Sequence, residues 1–238
     1  MYKSCLKSNR VSYFEGHSKE ITQLSIFHDD SKFVSSSLDF TSIVWDVNSL
    51  SILKTLKGHT DSVNSVCFTS CSTKIITASS DKTAIVWEVS SGNILFILKG
   101  HSSYISSVCT HKSIIITGSG DKSCIIWDLL TGEVLRKLSN GHSKGISTLS
   151  ISTDGERLVT GGKDHNLVLW DCTTGFSIQV MKAHSKGIKS VEFSADNRLI
   201  ISASSDKSGI IWDASTGKML RKVKYIFISI VKFLNQFN

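Results

Sequence analysis

Hydroxyl residues, histidines and aspartates recur together along this sequence. These are the components of a hydrolytic triad, in which a histidine activates a hydroxyl and a carboxylate orients the histidine. The first set is His17, Ser35 and Asp39, and Trp45 stands six residues after the aspartate. Four further sets follow in the same order at nearly the same spacing. A catalytic site is normally assembled once, at an asymmetric place, so fivefold repetition favours a structural role for these side chains.

The repeat is best measured between the five tryptophans, which stand 42, 40, 43 and 42 residues apart. Each is followed by an acidic residue and preceded, six positions earlier, by an aspartate. A serine or threonine lies four residues before each of those aspartates. The repeated sets are His17, Ser35, Asp39 and Trp45; His59, Thr77, Asp81 and Trp87; His101, Thr117, Asp121 and Trp127; His142, Thr160, Asp164 and Trp170; and His184, Ser202, Asp206 and Trp212.

The elements that must position these side chains are short strands. Runs of β-branched residues bounded by Gly, Ser, Asp and Asn predict four strands in each repeat, and long stretches of helical periodicity are absent. The hydroxyl lies on the second strand, the tryptophan on the third, and the aspartate in the tight turn between them. One hairpin therefore carries three of the four repeated side chains. In the first repeat the predicted strands are Ile21–Phe27, Phe33–Ser37, Ser42–Asp46 and Ile52–Leu56.

Gly-His and Trp-Asp landmarks at this spacing, such as Gly58-His59 and Trp127-Asp128, resemble those of the WD-repeat family of β-propellers. The resemblance implies an all-β propeller of four-stranded antiparallel blades, with five complete blades and an incomplete sixth. It also implies that each set forms one hydrogen-bonded tetrad, from tryptophan to hydroxyl to histidine to aspartate. The predicted divisions are a tail at 1–10, a propeller at 11–224 with repeats at about 16–57, 58–99, 100–140, 141–182 and 183–224, and a divergent tail at 225–238.

The sixth blade is incomplete in the sequence. No Gly-His follows Met219–Lys224, although Ile228–Phe233 resembles a first strand and Val11–Phe14 a fourth strand. Three explanations remain open: truncation of a larger propeller, completion by another chain, or a strained five-bladed ring. Truncation is favoured, because family propellers usually have more blades and exposed sheet edges are avoided. We therefore expect this chain alone to be marginally stable or oligomeric.

The composition indicates in what kind of environment the protein works. Hydrophobic residues make up 40% and charged residues 20% of the chain, which is typical of a globular protein. The six cysteines form no Cys-x-x-Cys pair and mostly lie in apolar runs, so we predict reduced, buried thiols. No secretory signal, membrane-spanning run or Asn-x-Ser/Thr sequon is present, so an intracellular location is predicted, cytoplasmic with a nuclear alternative. His28, His111 and His165 lack ligand-like spacing, and we predict no metal, cofactor or small-molecule substrate.

A partner surface is predicted from residues that differ between repeats on the face carrying the histidine and aspartate loops. Leu38 and Phe40 form an apolar corner in the first repeat. Lysines, among them Lys207, form a basic arc through repeats three to five, which Lys82 and Lys122 extend. The alternative is an ordinary solvated rim of lysines. The candidate partner-binding residues are Leu38, Phe40, Tyr104, Lys144, Lys163, His165, Lys186 and Lys189.

Three classes of function follow from these features. The resemblance implies a non-enzymatic interaction scaffold, a subunit or adaptor of a multiprotein complex, and the basic arc suggests acidic or phosphorylated segments as its ligands. The formal net charge of +7 leaves a nucleic-acid-associated subunit as the alternative. An enzyme is disfavoured because the chain has no unrepeated acid–base or nucleophile set.

Overall fold

The computed structural model describes residues 13–224, which form twenty strands in five four-stranded antiparallel sheets. In every sheet the four strands follow one another in chain order, so each blade is a meander. The predicted all-β class and the five complete blades are confirmed, and the predicted strands of the first repeat agree to within one residue at each end. In this range no helix is long and apolar enough to cross a membrane.

The strand bounds repeat from blade to blade. Blade 1 consists of β1 (Ile21–Ile26), β2 (Lys32–Ser37), β3 (Thr41–Asp46) and β4 (Ser51–Lys57), and blade 2 of β5 (Val63–Phe68), β6 (Lys74–Ser79), β7 (Thr83–Glu88) and β8 (Ile94–Lys99). Blade 3 consists of β9 (Ile105–His111), β10 (Ile114–Ser119), β11 (Cys124–Asp128) and β12 (Val134–Leu138). Blade 4 consists of β13 (Ile146–Ile151), β14 (Arg157–Gly162), β15 (Asn166–Asp171) and β16 (Ser177–Lys182), and blade 5 of β17 (Ile188–Phe193), β18 (Leu199–Ser204), β19 (Ser208–Asp213) and β20 (Met219–Lys224).

The hydrophobic core lies between successive blades rather than within one. Trp87 of blade 2 packs with Val34 and Leu56 of blade 1, and Trp212 of blade 5 packs with Leu169 and Met181 of blade 4. The first strands of neighbouring blades lie side by side: β1 against β5, β5 against β9, β9 against β13, and β13 against β17. Each blade thus presents its tryptophan face to the blade before it and its other face to the blade after it.

The sixth blade predicted from the sequence is only partly within the described residues. Ile228–Phe233 and Val11 lie outside them. Tyr13 and Phe14 are described and do not form a strand, so the prediction of a fourth strand is wrong at these two residues. Phe14 instead packs edge-on against Phe33 and Trp45, with ring centroids 4.9 and 5.5 Å apart. Its ring covers the tryptophan face of blade 1, which has no preceding blade among the described strands.

Candidate functional site

The structure brings all four side chains of each repeated set into one hydrogen-bonded chain. In blade 2 the indole N–H of Trp87 donates to the hydroxyl of Thr77 at 2.8 Å, and that oxygen lies 2.8 Å from Nε2 of His59. Nδ1 of His59 is 2.8 Å from the carboxylate of Asp81. In the other four blades the corresponding distances lie between 2.7 and 3.1 Å.

The protonation states follow from burial and from the direction of these bonds. Burial lowers the pKa of His101, although the hydrogen bond and charge of Asp121 act in the opposite direction. Burial would raise the pKa of Asp121, but hydrogen bonds from Ser123 and His101 outweigh it and lower the pKa to about 2. At neutral pH the histidine is therefore neutral and donates from Nδ1 to an ionised aspartate, while Nε2 accepts the hydroxyl proton.

This order of bonds matches a hydrolytic triad, but the hydroxyl has no access to a substrate. Each of the five tetrad hydroxyl residues is 0% exposed, and its oxygen already accepts the indole N–H. A nucleophile needs a free lone pair facing a cavity. The tetrads therefore connect the strands of each blade and cannot attack a bound molecule.

The structure adds a member that sequence reasoning missed. The carboxylate of the tetrad aspartate also accepts a hydroxyl two residues further on, for example from Thr83 to Asp81 at 2.7 Å. The same carboxylate accepts the backbone N–H of the residue after the histidine, at 3.1 Å for Thr60. The signal was available, because a hydroxyl recurs at this place in four repeats. These residues are Thr41, Thr83, Ser123 and Ser208, and Asn166 stands there in blade 4.

A second missed set joins neighbouring blades. Near the start of every first strand one residue is skipped in the pairing, which makes a β-bulge that redirects its side chain. In blades 1 to 4 this side chain donates to a backbone carbonyl of the next blade's first strand. The donors and acceptors are Thr22 to Val63 at 2.6 Å, Asn64 to Ile105 at 2.8 Å, Ser106 to Ile146 at 2.7 Å and Ser147 to Ile188 at 2.6 Å.

Exposed turns surround the tetrads on the same side of the molecule. The residue after each tetrad aspartate has a positive φ, a conformation that glycine adopts most cheaply, yet none of the five is glycine. Three are lysines and one is a histidine. Their φ angles are 74° at Phe40, 73° at Lys82, 71° at Lys122, 73° at His165 and 65° at Lys207.

Tyr104 and Lys163, both predicted from the sequence, are brought together. The ammonium of Lys163 lies 5.0 Å from the centre of the Tyr104 ring, a cation–π contact between blades 3 and 4. The ring also lies against Gly120, where it leaves no room for a Cβ, and a Cβ on Gly145 would come within 2.9 Å of Gly120 Cα. Small residues on two neighbouring blades therefore hold the half-buried tyrosine.

The other predicted residues lie in different settings. Lys144 and Lys186 are exposed in equivalent loops of blades 4 and 5. Phe40 is 38% exposed with the ammonium of Lys19 5.0 Å from its ring centre, and Leu38 beside it is half-buried. Lys189 lies near the start of β17, at the bulge position of blade 5. We call the set of Tyr104, Lys144, Lys163, Lys186 and the five positive-φ turn residues the loop face.

The cysteines and acidic groups offer no metal site in the part of the chain that is described. No cluster of three His, Cys, Asp or Glu side chains there is placed to hold an ion. The five cysteines between residues 13 and 224 are free thiols. Cys124 is buried and Cys67, Cys109 and Cys172 are half-buried, whereas the prediction of a buried thiol is wrong for Cys71, which is exposed in a turn. Hydrogen bonds from Thr69 and Thr73 lower its pKa to about 7.

Comparison with known proteins gives one positive result. The family model for the WD domain, G-beta repeat (WD40), matches residues 8–46, 50–88, 92–128, 132–171 and 175–213, which is more than half of the chain. Its unit is phased differently from the blade: residues 50–88 span the fourth strand of blade 1 and the first three strands of blade 2. None of the curated proteins compared with the chain matches it.

Proposed function

Because this chain belongs to the WD40 repeat family, whose repeats indicate a protein-interaction scaffold, we propose that it binds an acidic or phosphorylated segment of a partner protein through its loop face. The proposal makes the protein a non-enzymatic intracellular adaptor or subunit that needs no cofactor. Lysines present several ammonium groups to one extended anionic chain, and such charge-assisted contacts are the stronger class of hydrogen bonds.

The observation that carries the proposal is the set of side chains at the positive-φ turns. A left-handed conformation costs a residue with a Cβ about 1–2 kcal/mol relative to glycine. Backbone strain of this kind concentrates where it serves a function. Lys82, Lys122, His165 and Lys207 occupy four of the five positions after the tetrad aspartates, and the three lysines are exposed to solvent.

The tetrads support the proposal by holding the loops in place. In blade 4 the carboxylate of Asp164 binds both His142 and the backbone N–H of Ser143, the residue before Lys144. The same aspartate lies directly between Lys163 and His165 in the chain. Cationic side chains on fixed loops lose less backbone entropy on binding than they would on flexible ones. The buried network thus orders the attachment points of the exposed charges.

Charge reversal on the loop face tests the proposal. The triple variant Lys144→Glu, Lys163→Glu, Lys186→Glu should weaken binding of a doubly phosphorylated serine peptide by at least about tenfold, because attraction becomes repulsion. Fluorescence anisotropy at physiological ionic strength measures the affinity, with a glutamate-rich peptide and single-stranded DNA as parallel probes. The wild type should bind the phosphopeptide more tightly than the DNA.

The matched control alters the net charge by the same amount, but at the opposite ends of the strands. Lys112, Arg198 and Lys218 are exposed in turns away from the tetrads. The triple variant Lys112→Glu, Arg198→Glu, Lys218→Glu should leave phosphopeptide binding within about twofold of the wild type. Salt largely screens the interaction between exposed charges that are more than about 8 Å apart. Equal losses in the two triple variants, or tighter binding of DNA than of either peptide, would refute the proposal.

A further inference from the structure

A cavity of about 410 Å³ opens at the boundary of blades 2 and 3. Asn64, Ser80, Tyr104 and Ser106 line it, and all four residues are half-buried. Ser80 lies in the tight turn that also carries Lys82, so the cavity adjoins the loop face. We call this space the Tyr104 cavity.

Two of the lining residues, Tyr104 and Asn64, have no counterpart of the same kind in the other blades. The tyrosine ring lies where Gly120 leaves room for it, since a Cβ there would come within 2.4 Å of the ring. In a repeat protein, residues that differ between repeats on a shared surface are candidates for binding. The positions equivalent to Tyr104 hold Glu20, Ser62, Gly145 and Gly187, and the bulge positions equivalent to Asn64 hold Thr22, Ser106, Ser147 and Lys189.

Three of the four lining side chains have already used their protons. The side-chain amide of Asn64 donates to the hydroxyl of Ser80 at 3.0 Å and to the carbonyl of Ile105 at 2.8 Å. The Ser80 hydroxyl donates back to Oδ1 of Asn64 at 3.4 Å, and the Ser106 hydroxyl donates to the carbonyl of Ile146 at 2.7 Å. What these side chains still offer to a ligand is therefore the lone pairs of their oxygens.

The hydroxyl of Tyr104 differs from the others, because it forms no hydrogen bond with any residue of the range 13–224. The cavity thus combines one free donor with several acceptors. A carboxamide matches this set, since its oxygen accepts a proton and its amino group donates two. A carboxylate can only accept, and an ammonium group would meet the like charge of Lys163, which lies 5.0 Å from the centre of the Tyr104 ring.

We propose that the Tyr104 cavity binds the side-chain carboxamide of an asparagine or glutamine within the acidic or phosphorylated segment. This inference rests on the proposed function, because the lysines of the loop face bring the segment to the cavity. The lysines attract any anionic chain, whereas the cavity distinguishes one such chain from another. A site built to hydrogen-bond a polar group rejects an apolar side chain of the same size, which leaves the groups of the site unpaired.

Nuclear magnetic resonance titrations test the cavity without any anionic ligand. N-acetylglutamine methylamide should shift the side-chain amide resonances of Asn64 in the full chain until they saturate, and N-acetylmethionine methylamide should not. Tyr104→Phe keeps the ring against Gly120 and removes the hydroxyl, so it should abolish the saturable shift. Tyr13→Phe removes a hydroxyl from a side chain that is 79% exposed, and as the matched control it should respond like the wild type.

The doubly phosphorylated serine peptide tests the cavity together with the loop face. Each position beside the phosphoserines is occupied in turn by glutamine or by methionine, an apolar residue of similar size. At one position the glutamine peptide should bind about tenfold more tightly, because two hydrogen bonds depend on the carboxamide. Tyr104→Phe should reduce this ratio to below about threefold and leave the affinity for the methionine peptide within about twofold of the wild type.

The double variant Lys144→Glu, Lys186→Glu separates this inference from the proposed function. It should weaken binding of the glutamine and methionine peptides equally, so that their ratio is preserved. Equal shifts with the glutamine and methionine probes, a Tyr104→Phe variant that responds like Tyr13→Phe, or one that weakens binding of both peptides alike would each overturn the inference, even if the lysines still bound the phosphopeptide. Failure of every phosphopeptide to bind would overturn the proposed function and leave the titration with the single amino-acid probes to decide on the cavity.

Discussion

The buried tetrads and the adjacent loop face differ in how much their side chains vary from blade to blade. At the tetrads the side chains are the same in all five blades apart from the exchange of serine and threonine, and their hydrogen-bond lengths agree within a few tenths of an ångström. One residue away, the turns carry phenylalanine, lysine or histidine on an unchanged backbone. Uniformity therefore indicates what every blade needs in order to form, and variation indicates where one blade can be distinguished from another.

Removing a tetrad hydroxyl should have the largest effect on stability. Thr160→Val keeps the shape of the side chain but leaves the indole N–H of Trp170 and Nε2 of His142 without their partner. Each unsatisfied buried group costs about 1–3 kcal/mol, so the free energy of unfolding should fall by about 2–4 kcal/mol in urea titrations. Thr173→Val, at an exposed residue of the same blade, should change it by less than about 0.5 kcal/mol. Similar losses in both variants would contradict a special role for the tetrad.

Acid should destabilise the protein through the same network. Burial lowers the pKa of His59, His101, His142 and His184 below the ordinary value of 6.5, so the unfolded chain binds more protons than the folded one. The free energy of unfolding should therefore be fully present above about pH 6.5 and decline as the pH falls below it. A further decline below about pH 4 follows from the lowered pKa values of the tetrad aspartates. Urea midpoints that stay constant or rise between pH 7.5 and pH 5 would be incompatible with neutral buried histidines.

Replacing the strained turn lysines by glycine should have opposite effects on stability and on phosphopeptide binding. Lys82→Gly, Lys122→Gly and Lys207→Gly relieve the left-handed backbone, so each should raise the free energy of unfolding by about 0.5 kcal/mol after the entropy gained by the unfolded chain. Phosphopeptide affinity should fall at the same time. The corresponding alanine variants keep the strain and lose the charge, so they should bind weakly without any gain in stability. A glycine variant that gains stability and retains full affinity would show that the turn lysines are merely solvated.

The tetrads could be predicted from the sequence because repetition identified their members. His17 and Asp39 are 22 residues apart in the chain, and four further pairs at nearly that distance marked them as one set, while the resemblance to the WD-repeat family implied that the two meet. The strand order followed from the same repetition. The uniform hydrogen-bond pattern of a blade is thus encoded locally, within about forty residues.

Contacts between blades could not be predicted in this way. The position of Tyr104 depends on Gly145 and Lys163 of the next blade, and no residue near Tyr104 in the chain indicates that arrangement. Lys189 was grouped with the other lysines of the basic arc, and the bulge that skips it in the strand pairing is invisible in a linear sequence. The exposure of Leu24 likewise depends on what precedes blade 1 in space, whereas its sequence resembles that of a buried strand.

The bulge residues that join each first strand to the next have a consequence for the order in which the chain folds. Thr22, Asn64, Ser106 and Ser147 each form one hydrogen bond within their own blade and one to the first strand of the following blade, about forty residues later. No described blade has to wait for a distant part of the chain, so blade 2 can dock on blade 1 before blade 3 has been synthesised. Folding can then propagate from either end of such an array, with nearest-neighbour cooperativity. Among the described strands, blades 1 and 5 each pack on a single neighbouring blade, so we expect these two to open first and to gain protection from hydrogen exchange last.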